Sequence, residues 1–427
     1  MNKLKNANVP VTDGSTAIGL EPPPRMVGRV PRTPPKSHER SKTHRSQKRP
    51  AFDNIILLLQ GGGALGAYQG GVYQALAEAD LHPDWVAGIS IGSINAAIIA
   101  GNPPNQRVEK LRTFWEGVTT SPSLNVMGGG LDSVLARGDS ARSFFNQMSA
   151  INALVSGASG FFRPRIPSPW FHPPGTVEAT SYYDTAQLKA TLEALIDFDR
   201  INSDHANPRL SLGAVNVRSG NMIYFDSPGR VIKPEHVMAS GALPPGFPAV
   251  EIEGEQYWDG GLVSNTPLQW IAMTQEPPDA LVFQVDLWCA RGEFPRNLAE
   301  VATRQKEIQY SSRTRAFTDY FKHVTKLRNM LVTLLEELPE EMKQKEEVKF
   351  LSSVVDRHAA NIVQLIYRPK GYEGDSKDYE FSRRSMEEHW QAGYYDAVRA
   401  LRHPEIFEPT TEGYERLLTF DFRENQD

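Results

Sequence analysis

The chain has 427 residues, of which 40% are hydrophobic, and it carries a formal net charge of −5 and a single cysteine. This length accommodates two or three average domains, or one α/β catalytic domain with additions, and the hydrophobic content supports a substantial core. One cysteine excludes an internal disulfide and fits a reducing compartment. The sequence contains no metal-binding motif, secretory h-region or long apolar run, so we expect a cytoplasmic protein without a metal or a membrane span.

Charge is distributed unevenly along the chain. Residues 1–50 contain 11 Lys or Arg against 3 Asp or Glu, whereas the remainder contains 35 against 48. The basic segment is rich in proline and lacks an apolar run that could form a core, so we predict a disordered tail over residues 1–50. Its cluster between Lys36 and Arg49 could contact anionic lipid or nucleic acid. A solubilising leader is the simpler interpretation, and we expect no nucleic acid partner.

A cluster of glycines follows a buried strand predicted over residues 55–59 and precedes a helix predicted over residues 68–79. Three of its members match G-x-G-x-x-G, the fingerprint of dinucleotide-binding folds: Gly61, Gly63 and Gly66. Glu78 or Asp80 would then stand near the position of the ribose-binding acid. The alternative is an oxyanion hole, in which N–H groups free of side chains hold an anionic oxygen. Both sites use the same physics, so the glycines alone do not decide between them.

The sequence Gly-Ile-Ser-Ile-Gly places Ser90 at the centre of a G-x-S-x-G nucleophile elbow. A serine stands clear of a sheet only on a very tight strand-to-helix turn, which strains its backbone and leaves no room for side chains at Gly88 and Gly92. Residues 85–87 are predicted to end the strand, and residues 93–100 to form a buried helix. The N-terminus of that helix would place partial positive charge where an oxyanion forms. A nucleotide-binding fold gives no role to this elbow.

The middle of the chain combines regular elements with one long irregular segment. Apolar spacing predicts helices over residues 108–118 and 188–196, a hairpin over 209–217 and 222–225, and a core strand over 279–287. Residues 119–176 lack periodicity but contain several glycines, prolines and aromatic residues. Long irregular insertions are usually functional covers or disordered, and the aromatic content argues against disorder. We therefore predict a lid or an acyl-chain funnel over Ser90, with a self-packed surface loop as the alternative.

The C-terminal third of the chain has a mainly helical pattern. Apolar residues recur every three or four positions over residues 317–338, and Pro339 ends the stripe. Such a stripe usually packs against its own domain, although it could also contact a bilayer or a second subunit. A strand is predicted over residues 361–367 and a helix over residues 382–401. Because no catalytic constellation occurs here, we predict a mainly helical accessory extension over residues 291–427.

Three motifs in a fixed order give the chain a resemblance to the patatin-like acyl hydrolases, a family of lipid esterases and phospholipases. They are Gly-Gly-Gly-Ala-Leu-Gly from Gly61, Gly-Ile-Ser-Ile-Gly around Ser90 and Asp-Gly-Gly from Asp259. The resemblance covers roughly residues 52–290 and implies a three-layer α/β sandwich for this catalytic domain. It also implies a Ser–Asp dyad without histidine, in which Ser90 is the nucleophile and Asp259 the base. The oxyanion loop would be Gly61, Gly62 and Gly63, and the glycines that support the motifs would be Gly66, Gly88, Gly92, Gly260 and Gly261.

A dyad of this kind requires that no histidine takes part in the chemistry. In the Ser–acid–His order a histidine follows the acid, and four histidines do so here: His323, His358, His389 and His403. None of them is predicted to begin a helix after a core strand, and His236 is predicted to pack beside a proline-rich turn. Asp259 follows Tyr257 and Trp258 and precedes two glycines, so a tight turn can bring its carboxylate to Ser90. The aromatic neighbours can desolvate that carboxylate and make it a stronger base.

The sequence therefore predicts a serine acyl hydrolase that cleaves fatty-acyl or similar hydrophobic esters without a cofactor or a metal. Its partner would be a lipid or acyl-ester substrate, and a peripheral contact with membranes is compatible with the basic tail. Two other functions stay open from the sequence: a lipid-binding or scaffolding protein with weak catalysis, and a nucleotide-dependent oxidoreductase. Neither the chain-length and headgroup preference nor the oligomeric state follows from the sequence.

Overall fold

A computed structural model describes residues 41–45, 49–119, 138–203, 208–272, 279–355, 359–409 and 416–422. Most of the tail predicted over residues 1–50 therefore lies outside the described residues. The first described residues pack on the domain, since His44 is buried and its Nε2 lies 3.1 Å from Oε2 of Glu78. The backbone N–H of Ser41 also donates to the carbonyl oxygen of Arg402. Packing thus begins before the predicted end of the tail.

The centre of the structure is a mixed β-sheet. The strands are β1 (Asn54–Leu59), β2 (Trp85–Ile89), β3 (Arg163–Pro164), β4 (Tyr183–Asp184), β5 (Arg209–Asn216), β6 (Met222–Asp226), β7 (Val250–Ile252), β8 (Glu255–Asp259), β9 (Ala280–Asp286), β10 (Ala360–Ile366) and β11 (Leu417–Phe420). The sheet order is β11-β10-β9-β1-β2-β5-β8-β7, with β6 also paired to β5, and β3 and β4 form a separate pair. In sheet order, neighbouring strands from β11 through β10, β9, β1 and β2 to β5 are parallel. Strands β6 and β8 pair antiparallel with β5, and β7 pairs antiparallel with β8.

Helices cover both faces of this sheet. They are α1 (Ala67–Glu78), α2 (Ile91–Ala100), α3 (Pro104–Val118), α4 (Asp139–Ser156), α5 (Ala186–Leu195), α6 (Phe198–Ile201), α7 (Pro234–Ser240), α8 (Leu268–Ala272), α9 (Leu298–Glu337), α10 (Glu340–Lys343), α11 (Glu346–Val354) and α12 (Arg383–Leu401). Because side chains alternate along a strand, Leu57 of β1 joins a cluster with α1, α2, α3 and α12, whereas Leu58 joins one with α8 and α9. The predicted three-layer α/β sandwich is confirmed.

The elements predicted for the catalytic part of the chain agree with the structure to within a few residues. The predicted hairpin is the antiparallel pair β5 and β6, and its turn contains Gly220 with φ +70°. The segment predicted to be irregular is the exception, because α4 lies inside it. Glycines and prolines on both sides of this helix dominate the composition of the segment and obscure its regular part. Of the segment predicted as a lid or funnel, residues 120–137 lie outside the described residues.

The C-terminal extension is mainly helical, as predicted, but it also contributes to the sheet. Strands β10 and β11 continue the sheet beyond β9, and α12 packs closely on α1. A Cβ on Gly71 of α1 would lie only 1.8 Å from the carbonyl oxygen of Trp390. The apolar stripe on α9 divides between two environments, since Phe321 is buried whereas Leu327 and Leu334 are exposed. The extension and the catalytic part therefore share one sheet.

Candidate active site

Ser90 occupies the turn between β2 and α2 in a strained conformation. Its φ of 56° and ψ of −126° lie in a region that residues other than glycine rarely adopt. A Cβ on Gly88 would lie 2.3 Å from the carbonyl oxygen of Gly92, and one on Gly92 would lie 2.2 Å from that of Leu59. Both glycines are therefore required by close backbone packing. This is the geometry that the elbow motif predicts.

A buried serine that the sequence analysis did not single out holds the elbow in place. The backbone N–H of Ser90 donates to both the carbonyl oxygen and the Oγ of Ser240, each at 3.1 Å. The Ser240 hydroxyl in turn bonds to the carbonyl oxygen of Gly213 and to the hydroxyl of Ser93. Ser93, the other hydroxyl of the elbow, is fully buried and engaged in this network. The motif therefore presents Ser90, and not Ser93, to the outside of the turn.

Asp259 ends β8 beside Ser90. Its strand pairs with β5 at Ala214, and its backbone N–H donates to the carbonyl oxygen of Ala242 at 3.0 Å. The carboxylate is buried, and its Oδ1 accepts the N–H of Gly261 at 2.7 Å. Burial raises the pKa of Asp259 to about 6, although hydrogen bonds from the Ser90 hydroxyl and the Gly261 N–H lower it. The structure thus brings together Ser90, Asp259 and the Asp-Gly-Gly turn.

The glycine loop after β1 packs directly against the elbow. The N–H of Gly61 donates to the backbone carbonyl of Asn265 at 3.2 Å, and the Gly61 carbonyl accepts the Asn265 side-chain amide at 2.9 Å. A Cβ on Gly61 would lie 3.0 Å from the Cβ of Ser90. Within the described part of the chain, the N–H groups of Gly62 and Gly63 donate to no protein acceptor. Gly61 therefore shapes the loop, while its two neighbours present free donors.

The C-terminal extension supports this loop from behind. The Ala64 N–H donates to the carbonyl oxygen of Asp378 at 2.8 Å, and a Cβ on Gly63 would lie 2.0 Å from that oxygen. The Asp378 carboxylate is held by Lys306 of α9, whose Nζ lies 2.8 Å from Oδ1 and 3.0 Å from Oδ2. The side chain of Gln60 also donates to the backbone carbonyl of Tyr310 on the same helix. These supports were missed because no motif relates residues so distant in the chain.

The described histidines have other roles. The Nδ1 of His236 accepts the N–H of Lys233, and the ring packs on Phe225. His389 contacts the carboxylate of Glu373, His403 stacks on Phe422, and His323 is exposed on α9. None of these described rings contacts Ser90 or Asp259, and His358 lies outside the described residues. The described residues also contain no cluster of His, Cys, Asp or Glu that could hold a metal ion, and no helix with the length and hydropathy of a membrane span.

The mixed sheet with its parallel centre and the strained serine at a strand-to-helix turn define an α/β protein with a tight elbow turn. Residues 57–270, half of the chain, match the family model described as "Patatin-like phospholipase", and residues 308–412 match one described as "Patatin phospholipase". The chain belongs to the patatin-like phospholipase family. The second match shows that the C-terminal extension is itself part of a family pattern.

Individual relatives share less of the chain. A triacylglycerol lipase, SDP1L of Arabidopsis thaliana, is 37% identical over 71 residues, which are 17% of this chain and 8% of that protein. The crystal structure of VipD from Legionella pneumophila covers 85% of this chain and 70% of its own, with 16% identity and a TM-score of 0.35. The structure of the ExoU–SpcU complex from Pseudomonas aeruginosa covers 72% of this chain and 58% of its own, with 17% identity and a TM-score of 0.23.

Proposed function

We propose that the protein is a serine acyl hydrolase that cleaves fatty-acyl esters of lipids. The observation that carries this proposal is the strained Ser90 beside the buried carboxylate of Asp259, whose pKa burial raises while the Ser90 hydroxyl lowers it. A strained elbow exposes the nucleophile, and a buried carboxylate is a stronger base than one in water. Membership of the patatin-like phospholipase family supports a lipid ester as the substrate.

In the proposed reaction, Ser90 Oγ attacks the ester carbonyl carbon while Asp259 accepts the hydroxyl proton. The tetrahedral oxyanion is stabilised by the free N–H groups of Gly62 and Gly63 and by the positive end of α2. When the carbon–oxygen bond to the alcohol breaks, Asp259 returns its proton to the leaving oxygen, and the acyl group stays on Ser90. Water activated by Asp259 then attacks the acyl ester, releasing the fatty acid and restoring the Ser90 hydroxyl.

The distribution of hydrogen bonds supports two of the three glycines as oxyanion donors. The sequence predicts Gly61, Gly62 and Gly63 as the oxyanion loop, but the Gly61 N–H already has an acceptor in the Asn265 carbonyl. An engaged donor would have to break that bond before it could stabilise the transition state, whereas a free, fixed donor requires no reorganisation. We therefore assign the oxyanion to Gly62 and Gly63 and give Gly61 a positioning role.

Labelling with a fluorophosphonate probe tests this proposal. The probe is expected to modify Ser90, as located by mass spectrometry, and Ser90→Ala is expected to abolish both labelling and ester hydrolysis. Ser93→Ala is the matched control, since it removes the neighbouring hydroxyl of the same turn and is expected to leave labelling of Ser90 detectable. An adduct on Ser93 would overturn the assignment. A folded protein that is neither labelled nor active, and that binds lipid or NAD(P) instead, would favour a scaffolding protein or an oxidoreductase.

The role of Asp259 is tested by Asp259→Asn. The amide cannot accept the serine proton, so turnover is expected to fall by about a thousandfold or more. His236→Ala and His389→Ala are expected to keep most of the activity, because neither ring contacts the site. A histidine variant that is folded and as inactive as Asp259→Asn would replace the dyad with a triad.

A further inference from the structure

Helix α4 presents an apolar face to solvent. Its exposed apolar side chains include Phe144, Met148, Ile151 and Val155, and their spacing of four, three and four residues places them on one side of the helix. The opposite side, with Asn146, Ala150 and Ala153, is buried. The helix is therefore inverted relative to an ordinary surface helix, whose apolar side faces the core.

The segment after α4 adds further exposed apolar side chains. Trp170 and Phe171 are 82% and 79% exposed, and Ile166, Val177 and Tyr182 are exposed as well. We call the exposed apolar side chains of α4 and of residues 165–182 the docking face. Single exposed apolar residues are ordinary, but a group of this number within about forty residues of the chain usually marks an interaction site.

The docking face rests on a packed foundation and is not a loose loop. Arg142 of α4 pairs with Glu388 of α12, and its guanidinium lies 4.7 Å from the centre of the Tyr372 ring. Below the surface, Phe161 and Phe162 pack against Phe247 and Phe381, with ring centres 5.3 to 6.0 Å apart. The face is thus held in a fixed position relative to the rest of the domain.

Hydrogen bonds connect the docking face to a chain segment that begins beside Ser90. The backbone N–H of Tyr182 donates to the carbonyl oxygen of Pro245 at 3.0 Å, and that of Tyr183 to Gly246 at 2.9 Å. The segment that accepts these bonds begins at Gly241, where a Cβ would lie 4.0 Å from the Cα of Ser90. A surface that covers the docking face would therefore lie next to the elbow.

The charges around this face favour a lipid surface over an acidic or strongly basic partner. The docking face has one carboxylate near each end, Asp139 and Glu178, and none between them. Of the arginines in this stretch, Arg142 is paired with Glu388 and Arg163 with Asp184, so the face carries little net charge, whereas the chain beyond its first 50 residues has an acidic excess. Carboxylates would be repelled by anionic headgroups and costly to bring to a bilayer, and aromatic rings such as Trp170 are favoured at the membrane–water interface. From these observations we propose that the docking face binds a phospholipid bilayer and brings Ser90 to its substrate. The second part of this inference, the delivery of Ser90 to its substrate, rests on the proposed function, whereas the binding of the bilayer is tested without it.

Vesicle binding tests the inference on a full-length chain carrying Ser90→Ala, so that hydrolysis cannot alter the vesicles. The probe is vesicles of phosphatidylcholine with about one-third phosphatidylserine. Sedimentation separates vesicle-bound from free protein and so measures the partitioning. Trp170→Ser with Phe171→Ser, and separately Phe144→Ser with Val155→Ser, are expected to weaken partitioning at least tenfold, because each removes large apolar side chains that would enter the bilayer. The matched control is Leu327→Ser with Leu334→Ser on α9, where the side chains are 51% and 57% exposed.

Three outcomes would overturn the inference. The first is that the Ser90→Ala chain does not bind vesicles, and the second is that the α9 control loses as much vesicle binding as the docking-face variants. The third is that the chain forms a dimer without lipid and the docking-face substitutions dissociate it, which would make a second copy of the chain the occupant of the face. Tryptophan emission gives an independent reading, because Trp170 is the one strongly exposed tryptophan of the seven. Its emission is expected to shift to the blue with vesicles, and this shift is expected to vanish in Trp170→Phe, which still binds. Failure of the hydrolase proposal would leave these binding results unchanged.

Discussion

In the proposed mechanism, Asp259 combines a functional requirement with a cost to folding, because a carboxylate that is to act as a base must be buried and yet ionised. Burial raises its pKa to about 6 from an ordinary value of 3.8. At neutral pH the group is therefore ionised, but it is a stronger base than an exposed aspartate by about two pKa units. Tyr310 also lies near Asp259, and burial raises the pKa of its phenol to about 12, so that it stays neutral over the working range.

This pKa predicts the pH dependence of hydrolysis. Because only the ionised carboxylate accepts the Ser90 proton, kcat/KM is expected to fall about tenfold per pH unit below pH 6 and to be level above about pH 7. A steady-state profile on a soluble ester measures this. An added alcohol cosolvent is expected to raise the apparent pKa, since ionising a neutral acid creates charge, whereas an imidazolium base would not respond in that direction. A profile without an inflection between pH 5 and 7 would contradict the assignment.

The raised pKa of Asp259 also makes the stability of the fold depend on pH, in the direction opposite to that of activity. The folded-state pKa lies above the unfolded value, so the native state holds its proton longer, and stability falls as pH rises from about 4 to about 6. Asp259→Asn removes this penalty, which is about 3 kcal/mol at most. Thermal unfolding of this variant at pH 7 therefore provides the folding control for its loss of activity. The variant is expected to unfold no earlier than the parent protein.

At this scale the sequence predicts the reacting residues but not the groups that hold them. Ser90 and Asp259 lie in motifs whose chemistry requires their residue types, and the structure brings the two side chains together. Ser240, by contrast, is the last residue of α7, and Asn265 lies in an ordinary loop. Their importance depends on hydrogen bonds to backbone groups of Ser90 and Gly61, and such bonds leave no pattern in a single sequence.

Among the elements, the strand-to-helix turn at Ser90 depends on the absence of two side chains. Gly88→Ala is expected to reduce activity at least a hundredfold or to prevent folding, because its Cβ would meet backbone atoms 2.3 Å away that cannot move aside. Activity and thermal unfolding measure the effect. Gly117→Ala is the matched control, since Gly117 lies in α3 and a Cβ added there would have no neighbouring atom within 4 Å. It is expected to raise stability by about 0.5 to 1 kcal/mol. Full activity in Gly88→Ala would contradict the role of the turn.

Helix α9 belongs to the extension, but it reaches the glycine loop through Lys306 and Asp378. Lys306→Met keeps the aliphatic stem and removes the ammonium group that binds Asp378. We expect kcat to fall about three- to tenfold with KM within about twofold, because the oxyanion forms only in the transition state. Steady-state kinetics on a soluble ester measure both constants.

Lys343→Met is the matched control for this pair. Lys343 pairs with Glu340 at 2.8 Å, the same distance as Lys306 to Asp378, and the two lysine side chains are 33% and 31% exposed. The control is expected to leave both constants unchanged, and Asp378→Asn is expected to reproduce the loss in kcat. If Lys343→Met lowered kcat as much as Lys306→Met, the effect would come from surface charge and not from the loop.

Considering the whole molecule, the N-terminal tail divides at about residue 40. Deleting residues 1–40 is expected to leave soluble-ester hydrolysis within about twofold and the melting temperature unchanged, because their sequence lacks an apolar run that could form a core. Deleting residues 1–50 also removes two contacts with the domain, the one between buried His44 and Glu78 and the ion pair between Arg49 and Asp84. This longer deletion is expected to lower the melting temperature by several degrees. His44→Ala in the full chain separates the two contacts, and an equal melting temperature for both deletions would argue against this division.

The fold class and most elements are predictable from the sequence because parallel central strands read as apolar runs, and turns are marked by glycine. The apolar run of β1 and the hairpin turn at Gly220 are examples. The sequence does not predict strands β3, β4, β7, β8 and β11, because each has only two to five residues and so shows no clear apolar pattern. The order of strands in the sheet cannot be predicted from this sequence either, because β9 lies beside β1 although more than 200 residues separate them in the chain.

The position of β9 in the sheet has a consequence for any shortened form of the chain. All seven residues of β9 are buried, and its outer side is hydrogen-bonded to β10 of the extension. A fragment ending near residue 290 would leave that side as a long apolar edge with unpaired backbone groups, which recruits strands from other molecules. We therefore expect such a fragment to aggregate. The extension thus protects the sheet against self-association, because it ends the sheet with β11, a short strand that exposes few unpaired backbone groups to other molecules.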